Sequence, residues 1–89
     1  MKFVAKMNEI KKHYTDDENI SAASQELAEL IVAINKKDRG NIVEETGDVM
    51  IMLQRICDVF DISDDELDHV IEYKLNRQLD RIGVSINER

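Results

Sequence analysis

Proline is absent from this 89-residue chain, and glycine occurs only three times. So few breakers, with abundant Leu, Ile, Glu and Lys, point to an all-helical protein. Cysteine occurs once, at Cys57. An intrachain disulfide is therefore impossible, and the apolar run around Cys57 marks it as a small buried hydrophobe. No segment approaches the roughly 18 continuous apolar residues of a membrane span, and the N-terminus carries no apolar stretch of signal type. A reducing, cytoplasmic location is the expectation. Positive charge is scarce as well: 12 basic residues stand against 19 acidic ones, for a net charge of −7. Nucleic acid and anionic membrane both need a basic surface, so neither is expected as the main partner. What is present is a 43% hydrophobic content, enough for a core and too much for disorder.

The hydrophobic spacing predicts four helices in one domain spanning residues 1–89. Phe3, Met7, Ile10 and Tyr14 define a first helix over about 2–13. Thr15 with Glu18 forms a capping-box pattern that opens a second helix over about 16–37. Its stripe is Ile20, Ala23, Leu27, Leu30, Ile31 and Ile34. The turn falls at Asp38-Arg39-Gly40-Asn41, with Gly40 suited to a left-handed conformation. A third helix over about 41–60 carries Ile42, Val49, Leu53, Ile56 and Phe60, and is apolar nearly all round. Ser63 with Glu66 caps a fourth helix, whose stripe runs from Leu67 to Ile82 before Gly83 ends it. Short connections argue an antiparallel four-helix bundle. The surplus apolar surface of the third helix argues that the bundle is oligomeric, a homodimer or homotetramer.

Two acidic pairs interrupt this apolar pattern. Glu26 and Glu29 lie in QELAEL, and Glu45 and Asp48 lie in EETGDV. Residues three apart share one side of a helix. At 100° per residue, each pair borders the apolar stripe of its helix, whereas Glu44 points outward. Ala22 and Ala33 continue the first row, leaving room beside it. A hairpin about Gly40 brings the two pairs level. Unit charges at about 4 Å repel by about 4 kcal/mol at an effective dielectric near 20. A divalent cation, or raised pKa values, must resolve that repulsion. Solvated surface acids are the plain alternative, but that reading leaves the paired, stripe-flanking positions unexplained. Gly47, inside the third helix, costs about 1 kcal/mol relative to Ala; close approach of a backbone or substrate is one reason to keep it.

The fourth helix places Val70, Lys74, Arg77 and Arg81 on one ridge. Cations beside a metal–carboxylate site suit a polyphosphate; a salt-bridged solvated face is the alternative. His13 and His69 are isolated. No glycine-rich phosphate loop and no nucleophile–histidine motif is present, which leaves metal-directed attack by water.

QELAEL, a spacer and EETGDV together resemble the MazG-like all-α nucleoside triphosphate pyrophosphohydrolases, whose pattern is EExxE followed by ExxD. Glu26, Glu29, Glu45 and Asp48 match, while Gln25 stands where the first acid would be. YKLNRQLDRI resembles the family's KFxRR element through Lys74, Leu75 and Arg77, with Gln78 in place of the second Arg. The resemblance spans roughly residues 20–82. It implies a helical bundle with sites completed between subunits, and hydrolysis of NTP to NMP and pyrophosphate. It further implies Mg2+, with Mn2+ as the alternative, held by Glu26, Glu29, Glu45 and Asp48 as catalytic acids, and Lys74 and Arg77 facing the substrate phosphates. Another enzyme of the same superfamily, such as a dUTP or phosphoribosyl-ATP pyrophosphohydrolase, is the first alternative. A non-catalytic nucleotide-binding or helical assembly module of the same fold remains the alternative, as does a purely structural bundle.

Overall fold

The structure, a computed structural model, describes residues 2–89. It is all-α, with no strand among the described residues. The helices are α1 (Val4–Lys11), α2 (Asp16–Lys36), α3 (Arg39–Val59) and α4 (Asp64–Arg81), followed by a 3-10 turn at Ile86–Glu88.

Local chemistry explains where the helices start. The Thr15 hydroxyl accepts from the Glu18 backbone N–H, and the Glu18 carboxylate accepts from the Thr15 N–H, both at 3.1 Å. These bonds hold Glu18 below its ordinary carboxylate value, the backbone donor contributing most. Ser63 and Glu66 repeat the arrangement at 3.1 Å in front of α4. Each box satisfies two donors that a helix start leaves open.

The α2–α3 turn is tighter than expected. Lys37, not Gly40, takes the left-handed conformation, at φ 57°. Asp38 then caps α3, its Oδ1 accepting from the Asn41 N–H at 3.3 Å. That cap moves the start of α3 to Arg39 and draws Gly40 inside the helix, where no positive φ is needed. Gly83, at φ 83°, does close α4 in the left-handed region.

Packing is concentrated between α2 and α3. Ala23, Ala33, Val49 and Met52 are buried there, and small side chains on α2 let the helices approach. α1 crosses α3 through Met7, with Lys11 3.8 Å from Asp58. The most completely buried large side chain is polar: Asn19, 1% exposed. α4 makes at most a glancing contact with the rest and buries none of its residues.

The chain is extended as a result. Its radius of gyration is 16.2 Å, against about 12 Å for a compact domain of this length. Its accessible surface is 7265 Å², against about 5,400 Å² for a compact monomer of 10.3 kDa. Met50 and Ile51 of α3 are 55% and 38% exposed, so in the single chain α3 is no more buried than α2. Among the described residues no helix is long and apolar enough to cross a membrane.

Candidate functional site

The tight turn at Lys37–Asp38 sets α2 and α3 side by side in opposite directions. Glu26, Glu29 and Glu45 come together across this hairpin, each offering a carboxylate oxygen within 4.8 Å of the others. Asp48 is exposed and its oxygens stay outside this trio. It is still close enough for its charge to act on both Glu26 and Glu45. Glu44 is exposed and plays no part in the cluster.

The electrostatics follow from crowding. Glu26 is raised from an ordinary carboxylate value to about 7, first by burial, then by the Glu29 carboxyl against it, then by the charges of Asp48 and Glu45. Glu45 is raised as well, again by burial first and by Glu29 next. One oxygen of Glu26 and one of Glu45 are out of solvent contact and have no hydrogen-bond partner. Buried anionic oxygens without donors are costly, and a cation removes that cost. The donor set suits a hard ion.

Two clefts open beside the trio. One, of about 390 Å³, is lined by Gln25, Glu29, Lys36, Asn41 and Glu45 among others. The second, of about 440 Å³, is lined by Tyr14, Asn19, Gln25, Glu26, Met52 and Arg55 among others. Gln25 borders both. Lys74 and Arg77, on the detached α4, are exposed, and neither forms an ion pair among the described residues. The Arg77 guanidinium lies 5.9 Å from the Tyr73 ring centroid.

Sequence spacing alone singled out neither Lys36 nor Asn19 nor Arg55. A signal for each was present. Lys36 follows Glu29 by seven residues, Asn19 precedes Glu26 by seven, and Arg55 follows Asp48 by seven, so each shares a helix face with an acid. Arg55 is also the sole basic residue between Gly40 and Phe60.

The family model of the MazG nucleotide pyrophosphohydrolase domain matches residues 14–78, and the chain belongs to that family. The matched span contains α2, α3 and most of α4, with all four acids. Comparison with curated proteins gave no match, and comparison with solved structures gave none either.

Proposed function

We propose that the chain, acting as one domain over residues 1–89, hydrolyses nucleoside triphosphates to nucleoside monophosphates and pyrophosphate with Mg2+, or Mn2+, in nucleotide-pool control or house-cleaning. The observation that carries this reading is the convergence of Glu26, Glu29 and Glu45 on one point inside the matched span. These three acids hold the ion. When bound, the ion neutralises phosphate charge and polarises the bond to be cleaved. Asp48, outside the trio, orients the attacking water and accepts its proton at a carboxylate oxygen. A new bond forms from water oxygen to the α-phosphorus, and the bridge to the β-phosphate breaks, releasing pyrophosphate. Lys36 lies beside Glu29 and Glu45 in one cleft and faces the phosphates from within the chain.

Lys74 and Arg77 require a second copy to reach the same phosphates. The single chain carries about 1,900 Å² more surface than a compact monomer would, well above the roughly 800 Å² that one partner contributes to a standard interface. A homodimer or homotetramer that packs α4 against another hairpin accounts for that surplus. The acidic surface, net −7, supports a small-molecule substrate over nucleic acid or membrane, and the lone cysteine fits a cytoplasmic setting.

Gln25 supports a second reading. It borders both clefts as a neutral amide where the family pattern has an acid. A module that binds nucleotides with Mg2+ and does not turn them over keeps every feature described here.

Pyrophosphate release from canonical and modified NTPs with Mg2+ separates the two. The enzyme reading expects release that falls about 100-fold or more in Glu45→Gln and is nearly unchanged in Glu44→Gln. Mg2+ at a hundredfold excess over Kd should also stabilise the wild type by about 2.7 kcal/mol, and this gain should vanish in Glu45→Gln. A wild type whose melting temperature ignores Mg2+ has no shared metal site.

A further inference from the structure

The chain after α4 folds back onto that helix. Gly83, left-handed at φ 83°, donates its N–H to the Asp80 carbonyl at 3.1 Å, and the Val84 N–H donates to the Leu79 carbonyl at 3.0 Å. This pair of bonds is the closure that a left-handed residue makes at a helix end. Ser85 then leads into the 3-10 turn, which carries Arg89 back over the end of α4. There the Arg89 guanidinium makes three bonds. Nη1 donates to the Asn76 amide oxygen at 3.1 Å, while Nη2 donates to the Asp80 carboxylate and, at 3.1 Å, to the Val84 carbonyl. Asn76 and Asp80 are four residues apart, so they share one side of the helix and the rigid guanidinium fork bridges them. The Arg89 side chain is only 14% exposed, seated against the helix end.

Without Arg89, the Asp80 carboxylate has another cation within reach. A helical side chain leans over the turn before it, which sets Asp80 beside positions 76 and 77. Arg77 is three residues earlier, and oppositely charged residues at that spacing pair on helix surfaces. Arg81, the next residue, does not face Asp80. Yet Arg77 forms no ion pair among the described residues, and its guanidinium leans away from Asp80, 5.9 Å from the Tyr73 ring centroid.

We infer that Arg89 is a positioning residue that holds Asp80 off Arg77, so that the Arg77 guanidinium stays available to a polyphosphate. This rests on the phosphate role proposed for Arg77 above. Arg89 meets no phosphate itself, because its guanidinium is taken up by Asn76, Asp80 and Val84. The competition it prevents is unequal. Asp80 is tethered beside Arg77 at a high effective concentration, whereas a phosphate arrives from solution.

The test uses the whole chain with Mg2+–tripolyphosphate as the probe, read by calorimetry. Arg89→Ala should weaken binding about three- to fivefold, the scale of an exposed ion pair. Adding Asp80→Asn should restore wild-type affinity, because an amide offers Arg77 no charge. In an Arg77→Ala background, itself about tenfold weaker or more, Arg89→Ala should change nothing further. A loss that persists in the double variant Arg89→Ala, Asp80→Asn makes Arg89 a phosphate contact or a structural clasp and overturns the inference. An Arg89→Ala protein that binds as the wild type does overturns it too. NMR of the Arg77 Nε–H group reads the pairing apart from any ligand. Its resonance should move in Arg89→Ala and return in the double variant, and a resonance that stays fixed overturns the inference. A resonance that moves as expected, in a protein whose tripolyphosphate affinity ignores Arg77→Ala, retires the phosphate role of Arg77 and leaves the separation of Asp80 from Arg77 standing.

Discussion

The α2–α3 hairpin and α4 start from equivalent local signals and end in different situations. α2 and α4 both open with a complete capping box, and both carry acids in the first turn and a basic residue in the last. Yet α2 buries Asn19, Ala23 and Ala33 against its neighbour, whereas α4 buries nothing and leaves Leu67, Val70, Ile71 and Leu75 exposed. Caps and periodicity specify that a helix forms and which side is apolar. They do not specify what covers that side. Most helical stability comes from packing an apolar face, and α4, with none of its 18 residues buried, lacks that packing within the single chain; the proposed second copy would supply it.

The largest expected effect comes from removing that partner. Leu75→Asp puts a charge into the exposed stripe of α4 and leaves the hairpin untouched. Sedimentation should find the wild type assembled and the variant monomeric, with pyrophosphate release reduced at least about 100-fold through loss of Lys74 and Arg77 from the site. A wild type that sediments as a monomer at micromolar concentration would leave α4 without its partner and break the comparison.

The second effect is confined to the hairpin and appears in its pH dependence. The folded-state pKa of Glu26 is raised from 4.5 to about 7, so the folded protein binds this proton more tightly than the unfolded one. The resulting stability is present in full below about pH 4.5 and is lost as pH rises through about 7. Without metal, thermal melts should therefore show Glu26→Gln gaining on the wild type between pH 5.5 and 8.5. Mg2+ should reverse the wild-type trend, because the ion replaces the proton and binds more tightly as pH rises. Parallel pH profiles for wild type and Glu26→Gln would remove the crowding that defines the cluster.

The smallest effect compares the two caps directly. Thr15→Ala should lower stability by about 1 kcal/mol in denaturant melts. Ser63→Ala should do the same only where α4 unfolds together with the hairpin. A Ser63→Ala cost near zero in dilute protein, growing with concentration, would locate the docking of α4 in assembly.

The helices and the convergence of Glu26, Glu29 and Glu45 were legible in the sequence for physical reasons. A capping box is a local device, and an i,i+3 acidic pair beside an apolar stripe needs no distant information. The turn was less legible, because Asp38 and Gly40 compete to define it. The side-chain cap of Asp38 prevailed and forced the left-handed conformation onto Lys37. Asn19 and Arg55 were not singled out at all. A polar residue in a first helical turn and an arginine in an apolar run both resemble surface features. Only the hairpin turns them inward and leaves the Asn19 amide and the Arg55 Nε without partners. Asp48 carries the same spacing signal as the trio, and the structure still leaves it outside.

On the assembly proposed above, the surplus surface of the single chain would tie its foldedness to how much of it there is. For a chain completed by its own copies, unfolding also dissociates the assembly. Each tenfold dilution of a dimer then removes about 1.4 kcal/mol of stability. The melting temperature becomes a function of protein concentration, and so does the supply of complete phosphate sites. A cell holding few copies would contain mostly hairpins, with acids gathered but Lys74 and Arg77 elsewhere. Expression level would then act as a control on activity, with no effector required.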